Sequence, residues 1–111
     1  MSNYFDDSDL KKFKNIKRVN KKLGDKFFDY YNSVVSQEGA LSVREKALIA
    51  LAVSHALRCP YCIDAYTQSC LEKGANEEQM NEAVHVAAAM SAGISLVTSV
   101  QMMNKIDDLT L

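Results

Sequence analysis

The stretch from residue 42 to residue 62 reads SVREKALIALAVSHALRCPYC, and it decides the fold class. Ser42 and Glu45 at its start form a capping box, in which a hydroxyl and a carboxylate each satisfy a free backbone N–H. The helix that follows, over about 43–58, is apolar on nearly every side, as expected for a core helix. Proline is tolerated in the first turn of a helix, so Pro60 predicts a second helix with both cysteines at its N-terminus.

Helical periodicity extends upstream of this stretch. From Leu10 to Val35, apolar residues recur every three or four positions, and Gly24 is predicted to divide them into two helices. Arg58 is expected in the last turn of the core helix, where a cation suits the helix dipole.

Downstream, the pattern predicts three helices. One runs over about 60–73 and stops at Gly74, a usual left-handed stop. Asn76 caps the next, which extends up to Gly93, and a last helix covers about 94–105. Since nothing reads as an alternating strand, the sequence predicts an all-α fold, a bundle of five or six helices.

The chain of 111 residues fits one domain, with N-terminal helices in 1–38 and a cysteine-containing core in 40–105. Its 48% apolar and 24% charged residues are typical of a soluble globular protein. A net charge of −1 predicts no nucleic-acid partner, and the surplus of Lys and Arg in residues 1–26 is better explained by a solvated helix face than by an acidic partner or RNA. No secretory signal is visible, and the longest apolar run, Ala47 to Val53, is too short to cross a bilayer. We therefore expect a cytoplasmic protein with no membrane partner.

Cys59-Pro60-Tyr61-Cys62 is the strongest chemical signal in the sequence. The N-terminus of a helix favours a thiolate, and a second thiol three residues away can close a disulfide with it. Two alternatives are a pair of small buried side chains and a zinc site, for which only His55 and His85 are available as further ligands. We predict a redox pair and no cofactor or metal.

These residues resemble a known family. The run from Ala47 to Ser54, four further residues, Cys59-x-x-Cys62 and then Gly74-Ala75 resemble the AhpD-like, or carboxymuconolactone decarboxylase, family over about 40–95. The fuller pattern looks more narrowly like peroxidase-like proteins associated with arsenosugar biosynthesis. It includes Arg44 to His55, Cys-Pro-Tyr-Cys-Ile-Asp-Ala-Tyr and Glu82 to Ala88, together with the N-terminal Tyr4-Phe5-Asp6 and Asp9-Leu10.

The resemblance implies an AhpD-like all-helical subunit, usually of a trimer or hexamer, with a redox cysteine pair. It implies that Cys62 attacks a peroxide or a partner disulfide, that Cys59 resolves the product, and that an external dithiol resets the pair. The apolar stretch from Val84 to Met103 also favours a homo-oligomer, since a small monomer does not readily hide so much apolar surface.

Two positions depart from the family's pattern. Its relay glutamate, twelve residues before the first cysteine, falls on Ala47, and its histidine, four after the second cysteine, falls on Tyr66. His55, four residues before Cys59, is a candidate base, and Tyr66 is a candidate hydrogen-bond donor. Each is about as readily explained by packing.

Two more candidates lie on the following helix. Glu82 and His85 are three residues apart and can pair and face the cysteines, although a structural role suits His85 as well. Cys70 lies about 12 Å along the helix from Cys62 at 1.5 Å per residue, so a buried small side chain is its better interpretation.

The sequence therefore predicts a thiol-dependent oxidoreductase that reduces peroxides or disulfides through Cys59 and Cys62. Cofactor-free decarboxylation is disfavoured, because that chemistry needs acid and base groups and not a closing dithiol. The alternative is a non-catalytic thiol carrier, for instance for trivalent arsenic, or an accessory partner protein.

Overall fold

The computed structural model describes residues 5–111, so residues 1–4 of the predicted N-terminal part lie outside it. The described chain is all-α, with five helices and no strand, which confirms the predicted fold class. A 3₁₀ helix, Asp7–Arg18, is followed by four α-helices: α1 Lys21–Val35, α2 Val43–Ala56, α3 Pro60–Glu72 and α4 Glu77–Thr110.

Helix α2 lies between α3 and α4 and supplies most of the small core. Leu51 and Cys70 are the largest fully buried side chains, and Ala47 and Ala75 complete the cluster around them. The buried position of Cys70 confirms its predicted role as a small packed side chain. The 3₁₀ helix and α1 pack on each other, and the 3₁₀ helix also contacts α3.

The predicted stop at Gly74 is confirmed. Gly74 has φ +89°, and its N–H donates to the Leu71 carbonyl (3.2 Å), while the Ala75 N–H donates to the Cys70 carbonyl (2.9 Å). These paired bonds are the Schellman ending of a helix, which satisfies carbonyls left free at the C-terminus. Asn76 then caps α4, as predicted.

The predicted break at Gly24 is wrong. The chain breaks at Val19 and Asn20, and the Asn20 side chain accepts from the Leu23 N–H (3.0 Å) at the start of α1. Gly24 lies buried inside α1, where a Cβ would come within 2.5 Å of the Lys17 Cγ. Glycine is needed here for close packing and not for a turn.

The predicted break at Gly93 is also wrong, since α4 continues through it to Thr110. Glycine in a helix interior costs about 1 kcal/mol relative to alanine, which is too little by itself to end a long helix. The next residue that could cap a helix, Ser95, instead donates its hydroxyl to the Ser91 carbonyl inside α4 (3.2 Å), and Gly93 has ordinary helical backbone.

Much of α4 extends beyond the core. The radius of gyration is 18.9 Å, whereas a compact chain of this length has about 13 Å. By length and composition alone, α4 is apolar enough to cross a membrane, with a mean hydropathy of 1.6 over an 18-residue window that is only 6% buried. Counting uninterrupted apolar runs missed this stretch, because serine and threonine are scattered through it.

Candidate active site

The two cysteines lie where α2 ends and α3 begins. The prediction that Arg58 lies in the last turn of α2 is wrong. Arg58 lies just beyond the end of that helix, with a left-handed φ of 56°. Its N–H donates to the His55 carbonyl (3.2 Å), and the Cys59 N–H donates to the Ser54 carbonyl (3.0 Å), a second Schellman ending. Cys59 is at the same time the N-cap of α3. The position of its sulfur is therefore set by both helices.

The reduced sulfurs of Cys59 and Cys62 are in direct contact, with their Sγ atoms 2.7 Å apart and both side chains half-buried. The Cys62 N–H donates to the Cys59 Sγ (3.3 Å), because Pro60 occupies the first helical position and leaves the next N–H groups pointing at the cap. The pair is thus an N-capping sulfur with a second sulfur hydrogen-bonded to it.

The two thiols differ in acidity. The hydrogen bond from Cys62, followed by N–H groups at the start of α3, lowers the pKa of Cys59 below that of an ordinary thiol. Burial, and then the charge and hydrogen bond of Cys59, raise the pKa of Cys62 to about 11. The electrostatics of the reduced pair therefore favour Cys59 as the thiolate, the reverse of the order that the resemblance implies.

Both sulfurs border a cavity of about 490 Å³ between the 3₁₀ helix, α1 and α3. Its wall is mainly apolar and aromatic; besides the cysteines it comprises Asp9, Leu10, Lys12, Phe13, Ile16, Tyr31, Tyr61, Ala65 and Tyr66. A volume of about 300–1,000 Å³ is usual for small-molecule sites. This cavity is the candidate active site.

Tyr66 lies in this cavity one helical turn after Cys62, and its hydroxyl is hydrogen-bonded to that of Tyr31 on α1. Burial first, then the Tyr31 hydroxyl and the charge of nearby Cys62, raise the pKa of Tyr66 above its ordinary value. Tyr66 is therefore a neutral phenol, and its single proton can be donated either to the Tyr31 oxygen or into the cavity. Sequence reasoning missed Tyr31, whose helical spacing indicates packing but no hydroxyl partner.

Tyr61, between the two cysteines, contacts the N-terminal segment. Its hydroxyl donates to the Asp9 Oδ2 (2.9 Å), and its ring lies 4.7 Å from that of Phe5, centroid to centroid. The hydrogen bond to the Asp9 carboxylate raises the pKa of Tyr61. The narrower resemblance includes Asp9 but gives it no role, because its contact with Tyr61 joins residues 52 positions apart.

The structure does not bring His55 to the cysteine cavity. The His55 Nδ1 is bonded to the Leu51 carbonyl (2.9 Å), and the ring borders cavities between α2 and α4, beside residues such as Val84. A helical side chain four residues before Cys59 would share its face only if α2 continued, but α2 ends at Ala56.

Glu82 and His85 are exposed on α4, away from both sulfurs. Glu82 borders a different pocket, beside Leu48 and Val86, and among the described residues neither side chain borders the cysteine cavity. Of the six predicted site residues, three therefore share the cysteine cavity: Cys59, Cys62 and Tyr66. Residues 5–111 contain no cluster of three or more His, Cys, Asp or Glu side chains that could hold a metal.

The position of the family's relay glutamate is a core position here. Ala47 is 3% exposed and packs in the cluster with Leu51 and Cys70. Glu45 is occupied by the predicted capping box, in which its carboxylate accepts from the Ser42 N–H (2.9 Å) and its own N–H donates to the Ser42 Oγ (3.0 Å). Neither residue supplies a proton relay to the sulfurs.

Comparisons with known proteins agree with this architecture. An uncharacterized protein 4 in the cox locus of Paracoccus denitrificans is 38% identical over 78 residues, which is 70% of each chain. A crystal structure of a protein from Methanobacterium thermoautotrophicum superposes with a TM-score of 0.71 and 32% identity, over 78% of this chain and 97% of that one. The carboxymuconolactone decarboxylase family model matches residues 21–105, most of the chain. The chain therefore belongs to the carboxymuconolactone decarboxylase family.

Proposed function

We propose that this protein is a thiol-dependent oxidoreductase that reduces an organic peroxide or a disulfide through Cys59 and Cys62. The observation that carries the proposal is the contact of two free thiols, 2.7 Å apart, at the wall of a cavity of about 490 Å³. A thiolate at a helix N-terminus with a second thiol beside it has both parts needed to form and release a disulfide.

With a hydroperoxide, the Cys59 thiolate attacks the terminal peroxide oxygen and breaks the O–O bond. This leaves a sulfenic acid on Cys59 and an alkoxide, which takes up a proton and departs as an alcohol. The Cys62 sulfur then attacks the Cys59 sulfur, and the sulfenic oxygen leaves as water. An external dithiol returns two electrons and two protons to the resulting disulfide.

Tyr66 takes the place of the family's histidine in this scheme. Its phenol stays protonated and lies in the cavity beside the sulfurs, where it donates a hydrogen bond to the peroxide oxygen that becomes the alkoxide. In this scheme Tyr31 donates its own proton to the Tyr66 oxygen, which holds the phenol in place and leaves the Tyr66 proton for the peroxide. His55, Glu82 and His85 have no step in this scheme.

The test is the oxidation of the reduced protein by cumene hydroperoxide, followed by mass spectrometry. Cys62→Ser is expected to trap one added oxygen on Cys59, whereas Cys59→Ser should oxidise no faster than a free thiol. Cys70→Ala is the control, since Cys70 is buried and outside the cavity. Trapping on Cys62 in the Cys59→Ser variant would restore the order implied by the family, and slow oxidation of the wild type would sink the redox function.

The exposed apolar surface of α4 bears on assembly. Between Val84 and Met103 the helix carries apolar side chains on all sides and no Asp, Glu, Lys or Arg, a pattern of buried helices. The protein in this proposal is a cytoplasmic homo-oligomer, a trimer or hexamer, in which neighbouring copies cover α4. Val97→Asp should lower the mass in solution by light scattering, whereas Asn81→Asp, at an exposed position of α4 before this stretch, should not. A wild type that stays dispersed only in detergent would point to a membrane.

A second candidate is a thiol carrier or accessory protein in an arsenic-related pathway, as the narrower resemblance suggests. The observation that favours it is the pair of adjacent thiols without the family's relay side chains, which are Ala47 and Tyr66 here. Such a carrier binds arsenite through both sulfurs and shows no turnover with peroxide and dithiol. Arsenite titration beside the oxidation assay separates the two functions.

A further inference from the structure

We propose that the 3₁₀ helix Asp7–Arg18 selects the substrate of the cysteine site, admitting small apolar molecules and excluding protein disulfides. This inference rests on the proposed redox function for the reaction at the sulfurs. The part that concerns which molecules can reach the sulfurs does not depend on that function. Asp9, Leu10, Lys12, Phe13 and Ile16 of this helix form one wall of the cavity that holds both sulfurs.

This wall is a feature of the chain beyond the family's common core. The family model begins at residue 21, after the 3₁₀ helix has ended. Without that helix, the α3 side of the cavity with Cys59 and Cys62 would face solvent, because α1 and α3 supply the remaining lining residues. Access to the sulfurs is therefore controlled by residues that the family core does not include.

The 3₁₀ helix is attached at both ends. Near its start, Asp9 accepts the hydrogen bond from Tyr61, at 2.9 Å, which ties it to the turn that carries the cysteines. Near its end, Lys17 forms an ion pair with Asp25 of α1, at 3.3 Å. Between these points, Phe13 makes an edge-on contact with Phe28, with ring centroids 5.0 Å apart. The wall is held against both neighbouring helices.

The chemistry of the wall indicates which substrates fit. Leu10, Phe13 and Ile16 present aliphatic and aromatic carbon to a cavity whose other side is also largely aromatic. A small organic hydroperoxide or disulfide buries its apolar part there, and each buried CH₂ contributes about 0.8 kcal/mol. A disulfide on a folded protein cannot enter, because its backbone would have to occupy the space of the 3₁₀ helix.

The experiment measures access without peroxide chemistry. The full-length reduced protein is treated with N-ethylmaleimide and, separately, with a maleimide on a polyethylene glycol chain, and labelling of Cys59 is followed by mass. The quantity compared is the labelling rate of the small reagent divided by that of the large one. In the wild type this ratio should be at least about tenfold higher for Cys59 than for a cysteine in an unstructured peptide. Phe13→Asp and Asp9→Asn should each reduce that difference, because each weakens one of the three contacts that hold the wall in place.

Val19→Asp is the matched control. Val19 directly follows the 3₁₀ helix, is 94% exposed and does not border the cavity, so the substitution should leave the labelling ratio unchanged. Circular dichroism and thermal melts establish that each variant keeps its helices. Asp9→Asn preserves the size of the side chain and serves if Phe13→Asp fails to fold.

A second measurement uses the chemistry itself. The rate of oxidation by cumene hydroperoxide, divided by that by hydrogen peroxide, should fall about tenfold in Phe13→Asp, the range expected for a lost apolar contact in a pocket. Equal labelling by small and large reagents in the wild type would overturn the selecting wall. If the wild type shows size-dependent labelling but no oxidation, the selecting wall is supported and the proposed redox function is contradicted.

Discussion

The Sγ atoms of Cys59 and Cys62 lie 2.7 Å apart, yet the pKa of Cys59 is lowered and the pKa of Cys62 is raised. Cys59 caps α3, and its sulfur accepts hydrogen bonds from the Cys62 thiol and from backbone N–H groups. Cys62 is more buried and lies beside the charge of Cys59. In the proposed reaction, Cys59 is therefore the attacking sulfur, and Cys62 keeps its proton until Cys59 has reacted.

The first prediction concerns pH. Because the pKa of Cys59 lies below that of an ordinary thiol, its labelling by iodoacetamide should remain fast at pH values where a free cysteine has become slow. Cys62→Ala removes the largest cause of this lowered pKa and should move the labelling profile to higher pH. A profile that stays in place would show that the N–H groups of α3 alone set the acidity.

The second prediction concerns the tyrosine pair. Tyr66→Phe keeps the ring and removes the donor, so oxidation by hydroperoxide should slow by about 10²-fold, the lower end for a proton donor. Tyr31→Phe should slow it less, because it only orients the Tyr66 hydroxyl. The labelling rate of Cys59 by iodoacetamide, which needs no such donor, should change little in either variant; an equal loss there would indicate a packing defect.

The third prediction concerns the two left-handed residues. Arg58 has φ 56°, a conformation that is strained for a residue with a Cβ and unstrained for glycine. Arg58→Gly removes this strain but also makes the unfolded chain more flexible, so the net gain in the free energy of unfolding should be at most about 1 kcal/mol. Gly74→Ala should lower it by about 1 kcal/mol. A Cβ at Gly74 meets nothing within 4 Å, so its cost is backbone strain alone. Denaturant titration of both variants measures the contrast.

The fourth prediction concerns an attempt to restore the family's relay. Ala47→Glu should not create a relay but should destabilise the fold by several kcal/mol, because it buries an unpaired carboxyl group among Leu51 and Cys70. Ile49→Glu is the control on the same helix, at a half-exposed position, and should cost much less. Urea unfolding compares them; a stable Ala47→Glu variant with faster oxidation would contradict this account of the core.

The sequence by itself determined the local structure. Capping residues Ser42 and Asn76, the proline at the start of α3 and the left-handed Gly74 act within one or two turns of chain, so their effect is readable from spacing. The same local rules place two thiols at one helix N-terminus. They failed at Gly24 and Gly93, because glycine serves packing as well as turns and a single one does not end a helix.

Tertiary structure alone decided which side chains share the cysteine cavity. Tyr31 meets Tyr66 across 35 residues, and Asp9 meets Tyr61 across 52, through the packing of separate helices. His55 is only four residues from Cys59, but the left-handed Arg58 between them ends the helix and turns the chain, so that nearness in sequence gives no shared face. Spacing specifies neighbours within a helix, and it specifies nothing across a chain reversal, where the angle between two helices decides what meets.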